Sequence, residues 1–157
     1  MNKEVKAHKT LLVNGPAAVR LVSGEAEILG APLNVKETIV IRNGKRIPFY
    51  VKKAASFDIT LGEDSIVEEA DGNTVPVSWQ EAAEEILSLE KPIVVMIMGG
   101  ADSGKTSLCT FLANKALKAN STLAIIDADL TIRHRTPHYN RACLHQQANK
   151  RLVPCQG

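Results

Sequence analysis

A glycine-rich segment, GGADSGKTS at residues 99–107, carries the clearest chemistry in the sequence. Glycines let a loop curl so that successive backbone N–H groups point at one anion, and a following helix adds the partial positive charge of its first turn. In the pattern Gly99, four residues, Gly104, Lys105 and Thr106, the lysine would reach the outer phosphates of a nucleotide and the threonine hydroxyl would bind Mg²⁺. The spacing therefore predicts a P-loop for the phosphates of ATP.

All nine residues of this segment are expected to contact the cofactor: Gly99, Gly100, Ala101, Asp102, Ser103, Gly104, Lys105, Thr106 and Ser107. Lys105 is also expected to act in catalysis, because its charge would sit on the phosphoryl group that moves. Asp102 has two interpretations that the sequence leaves open: a catalytic or lysine-positioning residue, or a side chain that stabilises the loop.

The elements around the loop match those that a P-loop requires. The apolar run IVVMIM at residues 93–98 is typical of a strand buried on both faces of a parallel sheet. A helix should follow, with an apolar stripe from residue 108 to residue 117, and Lys118-Ala119-Asn120-Ser121 should end it. Residues 123–129 predict a second buried strand that ends in acids, which makes Asp129 the second candidate Mg²⁺ ligand beside Thr106.

The segment before these elements predicts a different architecture. Residues 1–77 alternate short apolar runs with turn residues, which predicts a small antiparallel sandwich or barrel. One hairpin is expected to turn at Ser23-Gly24 and a second at Asn43-Gly44, as a type I′ turn. The pairs Lys45-Arg46 and Lys52-Lys53 are expected to be solvated strand edges rather than a binding patch.

A linking helix should start at the capping box Ser78-x-x-Glu81. Trp79 in its first turn has two interpretations, stacking on a base or packing between the two parts, and packing is favoured. Cys109 lies among apolar helical positions and is expected to be a core residue rather than a nucleophile. The fold class is therefore an α/β P-loop NTPase, with an incomplete parallel sheet, preceded by an antiparallel all-β domain.

Charge divides the 157 residues unevenly. Of the 19 cations, five follow Asp129, and since no acid follows it, residues 1–130 hold 14 cations against all 17 acids. Residues 131–157 thus form a basic tail, which is either an interaction arm or a segment foreign to the rest. No run approaches the roughly 20 apolar residues of a membrane span, and the N-terminus lacks a signal-peptide core, so a cytoplasmic protein is expected.

GGADSGKT and IIDADL, together with the preceding β segment and linking helix, resemble the polynucleotide 5′-hydroxyl kinases. That family includes archaeal RNA kinases and the kinase-like subunit of the eukaryotic pre-mRNA cleavage machinery. The resemblance covers residues 1–130 and implies transfer of the γ-phosphoryl of ATP to the 5′-hydroxyl of RNA or DNA. It implies phosphate and Mg²⁺ roles for Lys105 and Thr106, and a catalytic role for Asp129 as the acid of a D-x-x-Q motif, near the attacking hydroxyl.

The tail departs from that family. The glutamine of D-x-x-Q should fall at position 132, where the chain has Ile132, and the family's following G-Q-x-D-I-G-P-P-T-T run is missing. Back-translation of the tail with permitted codons, regrouped by one base, encodes QSDIGPPTT. We therefore predict that residues 131–157 are out-of-frame and disordered; a basic RNA-binding arm is the alternative.

Two functions follow from the resemblance. The first is an ATP-dependent polynucleotide 5′-hydroxyl kinase of RNA processing, of which this chain is an inactive N-terminal fragment comprising a β domain (1–77) and the start of a kinase domain (78–130). The second is a non-catalytic ATP-binding subunit of an RNA-processing complex. A GTPase or another P-loop switch is a weaker third possibility. In each case the P-loop part should be only marginally stable, because one strand–helix–strand unit cannot cover a parallel sheet.

Overall fold

The computed structural model describes residues 1–126 and 142–143. Seven strands come first, and they form one antiparallel sheet: β1 (Asn2–Val5), β2 (Lys9–Asn14), β3 (Ala17–Ile28), β4 (Ala31–Pro32), β5 (Thr38–Ile41), β6 (Arg46–Leu61) and β7 (Val67–Asp71). Two helices follow, α1 (Val77–Ser88) and α2 (Lys105–Lys118), and then a two-residue pair, β8 (Ile125–Ile126) with β9 (Ala142–Cys143). The predicted antiparallel β part is confirmed.

Two long strands, β3 and β6, hold the sheet together. They pair with each other along most of their length, from Ala17↔Leu61 to Glu27↔Tyr50. On its other edge β3 meets β5 and then β4, while β6 meets β2 and then β1. The sheet therefore has two halves, and each long strand has its first part in one half and its last part in the other.

The core lies where β6 folds over. Phe49 and Phe57 are eight residues apart, which in a straight strand is about 26 Å. Their ring centroids are instead 5.9 Å apart in an edge-to-face arrangement, and both side chains are fully buried. The two halves of the sheet thus face each other and enclose one apolar core.

A bulged, irregular stretch in the pairing of β3 with β6 replaces the hairpin predicted at Ser23-Gly24. Pairing with β6 shifts register between Leu21 and Ala26, and the buried positions change from odd-numbered to even-numbered residues across this segment. An extra residue in one strand has that effect because side chains alternate between faces. The glycine signal was correct in predicting positive φ, which is 91° at Gly24, but the chain continues as one strand.

Two glycines of the sheet offer a matched test of this geometry. A Cβ at Gly24 would lie 2.3 Å from the Ala54 carbonyl oxygen, whereas a Cβ at Gly44 (φ 72°) would meet nothing within 4 Å. We expect Gly44→Ala to cost about 1 kcal/mol through its backbone conformation alone, and Gly24→Ala to cost roughly 3 kcal/mol because overpacking is added. Urea denaturation measures both, and equal losses would contradict the bulge.

The second predicted hairpin is also wrong in its pairing. Gly44 has positive φ as expected, but Asn43 does not, so the turn is not type I′. β5 pairs with β3 rather than with β6. The order of the strands along the chain therefore did not predict which of them would pair in the sheet.

Cross-strand ion pairs cover the outer surface of the sheet. They join Lys3 to Glu69, Lys9 to Asp71, Arg20 to Asp58, Arg46 to Glu68, Lys52 to Glu27 and Lys53 to Glu25. Each has a partly exposed cation, so each contributes little to stability. The prediction that Arg46, Lys52 and Lys53 are solvated strand residues agrees with these partners.

Helix α1 begins at Val77, so the capping box predicted at Ser78 is wrong. The N-cap is Pro76, and no side chain caps the helix. The entry is shaped instead by Asn73, whose side-chain oxygen accepts a hydrogen bond from the Val75 N–H at 2.9 Å. The Ser78-x-x-Glu81 sequence is therefore present without a capping hydrogen bond, because the helix already begins at Val77, before the serine.

Helix α2 has the bounds that the sequence predicted, and it packs on the β part. Of the predicted stripe, Phe111 is buried, whereas Leu108, Leu112 and Leu117 are half-buried. The other buried residues of the helix are Thr110, Ala113 and Asn114. Phe111 joins the core of the sheet. Cys109 is half-buried as well, on a face next to that contact rather than in the core.

The buried strand predicted at residues 93–98 is absent from the described structure. These residues are extended without a strand partner among the described residues, and Val94 is 95% exposed. Of the second predicted strand, at residues 123–129, the described residues 123–126 hold Ile125–Ile126, which pairs antiparallel with Ala142–Cys143, and Ile126 is 76% exposed. A parallel strand is buried only between neighbouring strands and covering helices, and the described residues supply none here.

This difference predicts uneven protection from amide hydrogen exchange. Residues 17–61 should exchange slowly, because their N–H groups lie in paired strands around the core, and residues 93–98 should exchange close to the unfolded rate. Mass-spectrometric exchange on the chain measures both segments together. Uniformly high protection across residues 93–126 would contradict the expectation.

Candidate functional site

The glycine-rich loop lies between the extended segment 93–98 and the start of α2. Gly104 is the N-cap of α2 and has left-handed geometry, φ 86° and ψ 12°. A Cβ at Gly99 would lie 2.6 Å from the Ser103 Oγ. The first and last glycines of the pattern are therefore required by conformation and by close packing within the loop.

Lys105 closes the loop. Its Nζ donates a hydrogen bond to the Gly100 carbonyl oxygen at 2.6 Å, so the ammonium lies over the loop. No side chain caps the first turn of α2. Its N–H groups and the lysine thus present positive charge at one place, as anion binding at a helix N-terminus requires.

Thr106 occupies the next position on the exposed side of the helix. Its carbonyl oxygen accepts a hydrogen bond from the Thr110 Oγ1 at 2.8 Å, which supports the first turn. A hydroxyl oxygen suits Mg²⁺, which prefers few protein ligands and keeps water or phosphate oxygens for the rest. Within residues 1–126, no group of three or more His, Cys, Asp or Glu side chains is arranged to hold a metal ion.

The structure brings together all nine predicted residues from Gly99 to Ser107 but not the second metal ligand. Asp129 lies outside the described residues, as do Ile132 and the basic tail. Asp102 is exposed and has positive φ, 55°, and its role stays a prediction. No helix of the described chain is long and apolar enough to cross a bilayer.

Trp79 packs between the two parts of the chain, which confirms the favoured interpretation. Its ring lies 6.1 Å from that of Phe111, and its Cζ2 would be 3.8 Å from a Cβ at Gly104. The indole thereby supports the last residue of the loop from the side of the β part.

Sequence reasoning missed a cleft beside this contact. It has a volume of about 170 Å³, and its lining includes Ile47, Val75, Trp79 and Ser107. Trp79 and Ser107 carried a signal in the sequence, and Arg46, which also lines the cleft, was predicted to be a solvated strand residue. The other lining residues are ordinary strand and turn positions. Since Ser107 belongs to the loop segment, the cleft adjoins the candidate phosphate site.

Comparisons with known proteins agree with this geometry. Residues 99–140 match the family model described as mRNA cleavage and polyadenylation factor CLP1 P-loop. The polyribonucleotide 5′-hydroxyl-kinase of Pyrococcus horikoshii is 47% identical over 58 residues, which cover 37% of this chain and 16% of that protein. The polyribonucleotide 5′-hydroxyl-kinase of Methanocaldococcus jannaschii is 40% identical over 68 residues, which cover 43% of this chain and 19% of that protein. The CLP1 homolog of Brugia malayi is 26% identical over 130 residues, covering 76% of this chain and 30% of that protein.

The match to the family model includes residues 131–140, the first part of the tail that we predict to be out-of-frame. The reading frame is therefore a question for the DNA.

Two solved structures share the fold. One describes the interface between Pcf11p and Clp1p and the basis of ATP loss in a point mutant; it has a TM-score of 0.61 and 20% identity, over 78% of this chain and 31% of that chain. The other, a wild-type Clp1p–Pcf11p complex, has a TM-score of 0.60 and 22% identity, over 78% and 30%. This chain thus spans less than a third of the proteins it matches. Its glycine-rich loop lies within the segment that matches the CLP1 P-loop family model, and the chain is similar there to the polyribonucleotide 5′-hydroxyl-kinases.

Proposed function

We propose that residues 99–107 bind the phosphates of ATP with Mg²⁺, and that the chain is the N-terminal part of an ATP-dependent polynucleotide 5′-hydroxyl kinase that acts on RNA. The observation that carries the proposal is the Lys105 ammonium held over the loop, 2.6 Å from the Gly100 carbonyl, at the uncapped start of α2. An anion that enters the loop would replace the Gly100 carbonyl oxygen as the hydrogen-bond partner of the Lys105 ammonium.

The residues of the site would have separate roles in phosphoryl transfer. Loop N–H groups and Lys105 would hold the outer phosphates and balance the charge that grows on them during transfer. Thr106 and Asp129 would hold Mg²⁺, which would supply positive charge to neutralise the phosphates. Asp129 would also act near the RNA 5′-hydroxyl that attacks the γ-phosphorus in line.

This chain alone should bind ATP weakly and transfer no phosphoryl group. Transfer requires a residue that orients the hydroxyl as well as the loop and the metal. The family's glutamine is replaced by Ile132, and the segment 93–98 that should support the loop lacks a strand partner in the described residues.

Two measurements test the proposal. Binding of a fluorescent ATP analogue to the 157-residue chain with Mg²⁺ tests the site, and competition by unlabelled ATP should reverse it. A kinase assay with γ-labelled ATP on the frame-restored, full-length protein tests the activity, with 5′-hydroxyl RNA as substrate and 5′-phosphorylated RNA as the control. Label on the first RNA alone is the expected result; no label on either RNA would refute the kinase proposal.

The second candidate is a non-catalytic ATP-binding subunit of an RNA-processing complex. It is favoured by the fold shared with Clp1p, which the two solved structures show with Pcf11p. ATP binding without phosphoryl transfer by the full-length protein would select it, and a cleavage-complex protein would then be the expected partner. A cytoplasmic location stays a prediction from the sequence.

Genomic DNA across codons 125–135 decides the frameshift prediction. An interrupted frame that restores QSDIGPPTT is expected. An unbroken frame through Thr131, confirmed independently, would make the tail a real arm, whose binding to RNA should then fall steeply with salt and disappear on deletion of residues 131–157.

A further inference from the structure

The turn between β3 and β4 has an unusual conformation. Leu29 and Gly30 are its two central residues, and both have positive φ, 45° and 81°. Glycine adopts this region readily, but leucine rarely does, since its Cβ approaches the following carbonyl. Leu29 is nevertheless buried at 6% exposure, so its surroundings hold it in place.

The contact that holds this turn comes from α2. The Asn114 side-chain amide, itself only 3% exposed, donates a hydrogen bond to the Leu29 carbonyl oxygen at 3.0 Å across 85 residues of sequence. A Cβ at Gly30 would lie 3.4 Å from the Phe111 ring, and the Lys115 Nζ lies 5.3 Å from the centroid of that ring. The turn thus fits against one face of the helix.

Asn114 lies nine residues after Lys105 on the same helix, about 14 Å along its axis. At the other end, Trp79 supports Gly104. The β part and α1 therefore hold α2 at two points, while the segment 93–98 on the other side of the loop has no strand partner in the described part of the chain. The direction of α2, and with it the position of the loop N–H groups, depends on these two contacts.

We propose that Asn114 is a positioning residue for the phosphate loop: through the Leu29 carbonyl it couples the β3–β4 turn to nucleotide binding. The proposal rests on the proposed function, because it needs phosphate in the loop. It assigns the β part a share in nucleotide affinity through a residue that does not touch the nucleotide.

The test compares variants on both sides of the contact in the 157-residue chain. Asn114→Asp keeps the shape but removes the donor, and Gly30→Ala acts from the turn. Leu117→Ala is the matched control, since Leu117 is half-buried near Asn114 on α2 and takes no part in the hydrogen bond to the Leu29 carbonyl. We expect Kd for ATP to rise about tenfold for the first two, a typical coupling, and to stay within twofold for the control. Circular dichroism checks that each variant is folded.

Amide exchange at residues 29–31 supplies a readout that a merely structural contact would not change. ATP should slow this exchange in the unmodified chain and in Leu117→Ala, but not in Asn114→Asp, because coupling between two sites is reciprocal. If the unmodified chain binds ATP while Asn114→Asp and Gly30→Ala bind it equally well, the inference fails alone. If the unmodified chain does not bind ATP, the proposed function fails and the inference fails with it.

Discussion

Replacing Lys105 with alanine should weaken ATP binding about 100-fold, which corresponds to about 2.7 kcal/mol. A hydrogen bond to a charged group contributes about 1.5–3 kcal/mol, and this ammonium would meet several phosphate oxygens at once. The change should leave the fold intact, because the lysine bonds only to a carbonyl of its own loop among the contacts that the structure gives for its side chain. Titration of the fluorescent ATP analogue measures the loss.

Lys118→Ala is the matched control for that variant. It removes the same charge from the last turn of the same helix. A cation at that end interacts favourably with the helix dipole but does not help to bind an anion at the other end. Its Kd for ATP should stay within twofold of the unmodified chain. Equal losses for the two variants would mean that binding follows the net charge of α2, and the loop geometry would carry no special role.

The second large effect concerns the core of the sheet. Phe57→Ala should lower the free energy of unfolding of the β part by about 3–5 kcal/mol, a large share of the stability of a small domain. Phe57 is fully buried and meets Phe49 edge to face at the fold of β6, so its loss would leave a cavity between the two halves. Urea denaturation followed by circular dichroism measures the change.

An exposed apolar residue provides the comparison. Ile66→Ala, at a side chain 50% exposed, should cost less than about 1 kcal/mol. A small loss for Phe57→Ala as well would show that the two halves of the sheet do not enclose a common core.

The loop was predictable because its chemistry is local. Gly99, Gly104 and Lys105 are required within a single turn of chain, and the structure places them as the spacing predicted. The bounds of helix α2 were predictable for the same reason, since its periodic residues and the residues 118–121 that end it lie within one segment. Local rules determine such elements before any tertiary contact forms.

The pairing of strands was not predictable in the same way. Gly24 signals positive φ, but a hairpin turn and a bulge both need it, and only the partner strand β6 distinguishes them. The apolar run at residues 93–98 likewise predicts burial, but burial depends on neighbours that the described residues do not supply. The Asn114–Leu29 contact spans 85 residues, and neither residue type carries a signal at that range.

The ion pairs on the sheet have a consequence for nucleic-acid binding. A protein gains affinity for a phosphate backbone chiefly because its free lysines and arginines neutralise phosphates and so release the condensed counterions into solution. On this sheet six cations already lie within 4 Å of carboxylates, so a nucleic acid would have to displace those acids first. We therefore expect the β part to add little to the salt dependence of any RNA binding by this chain.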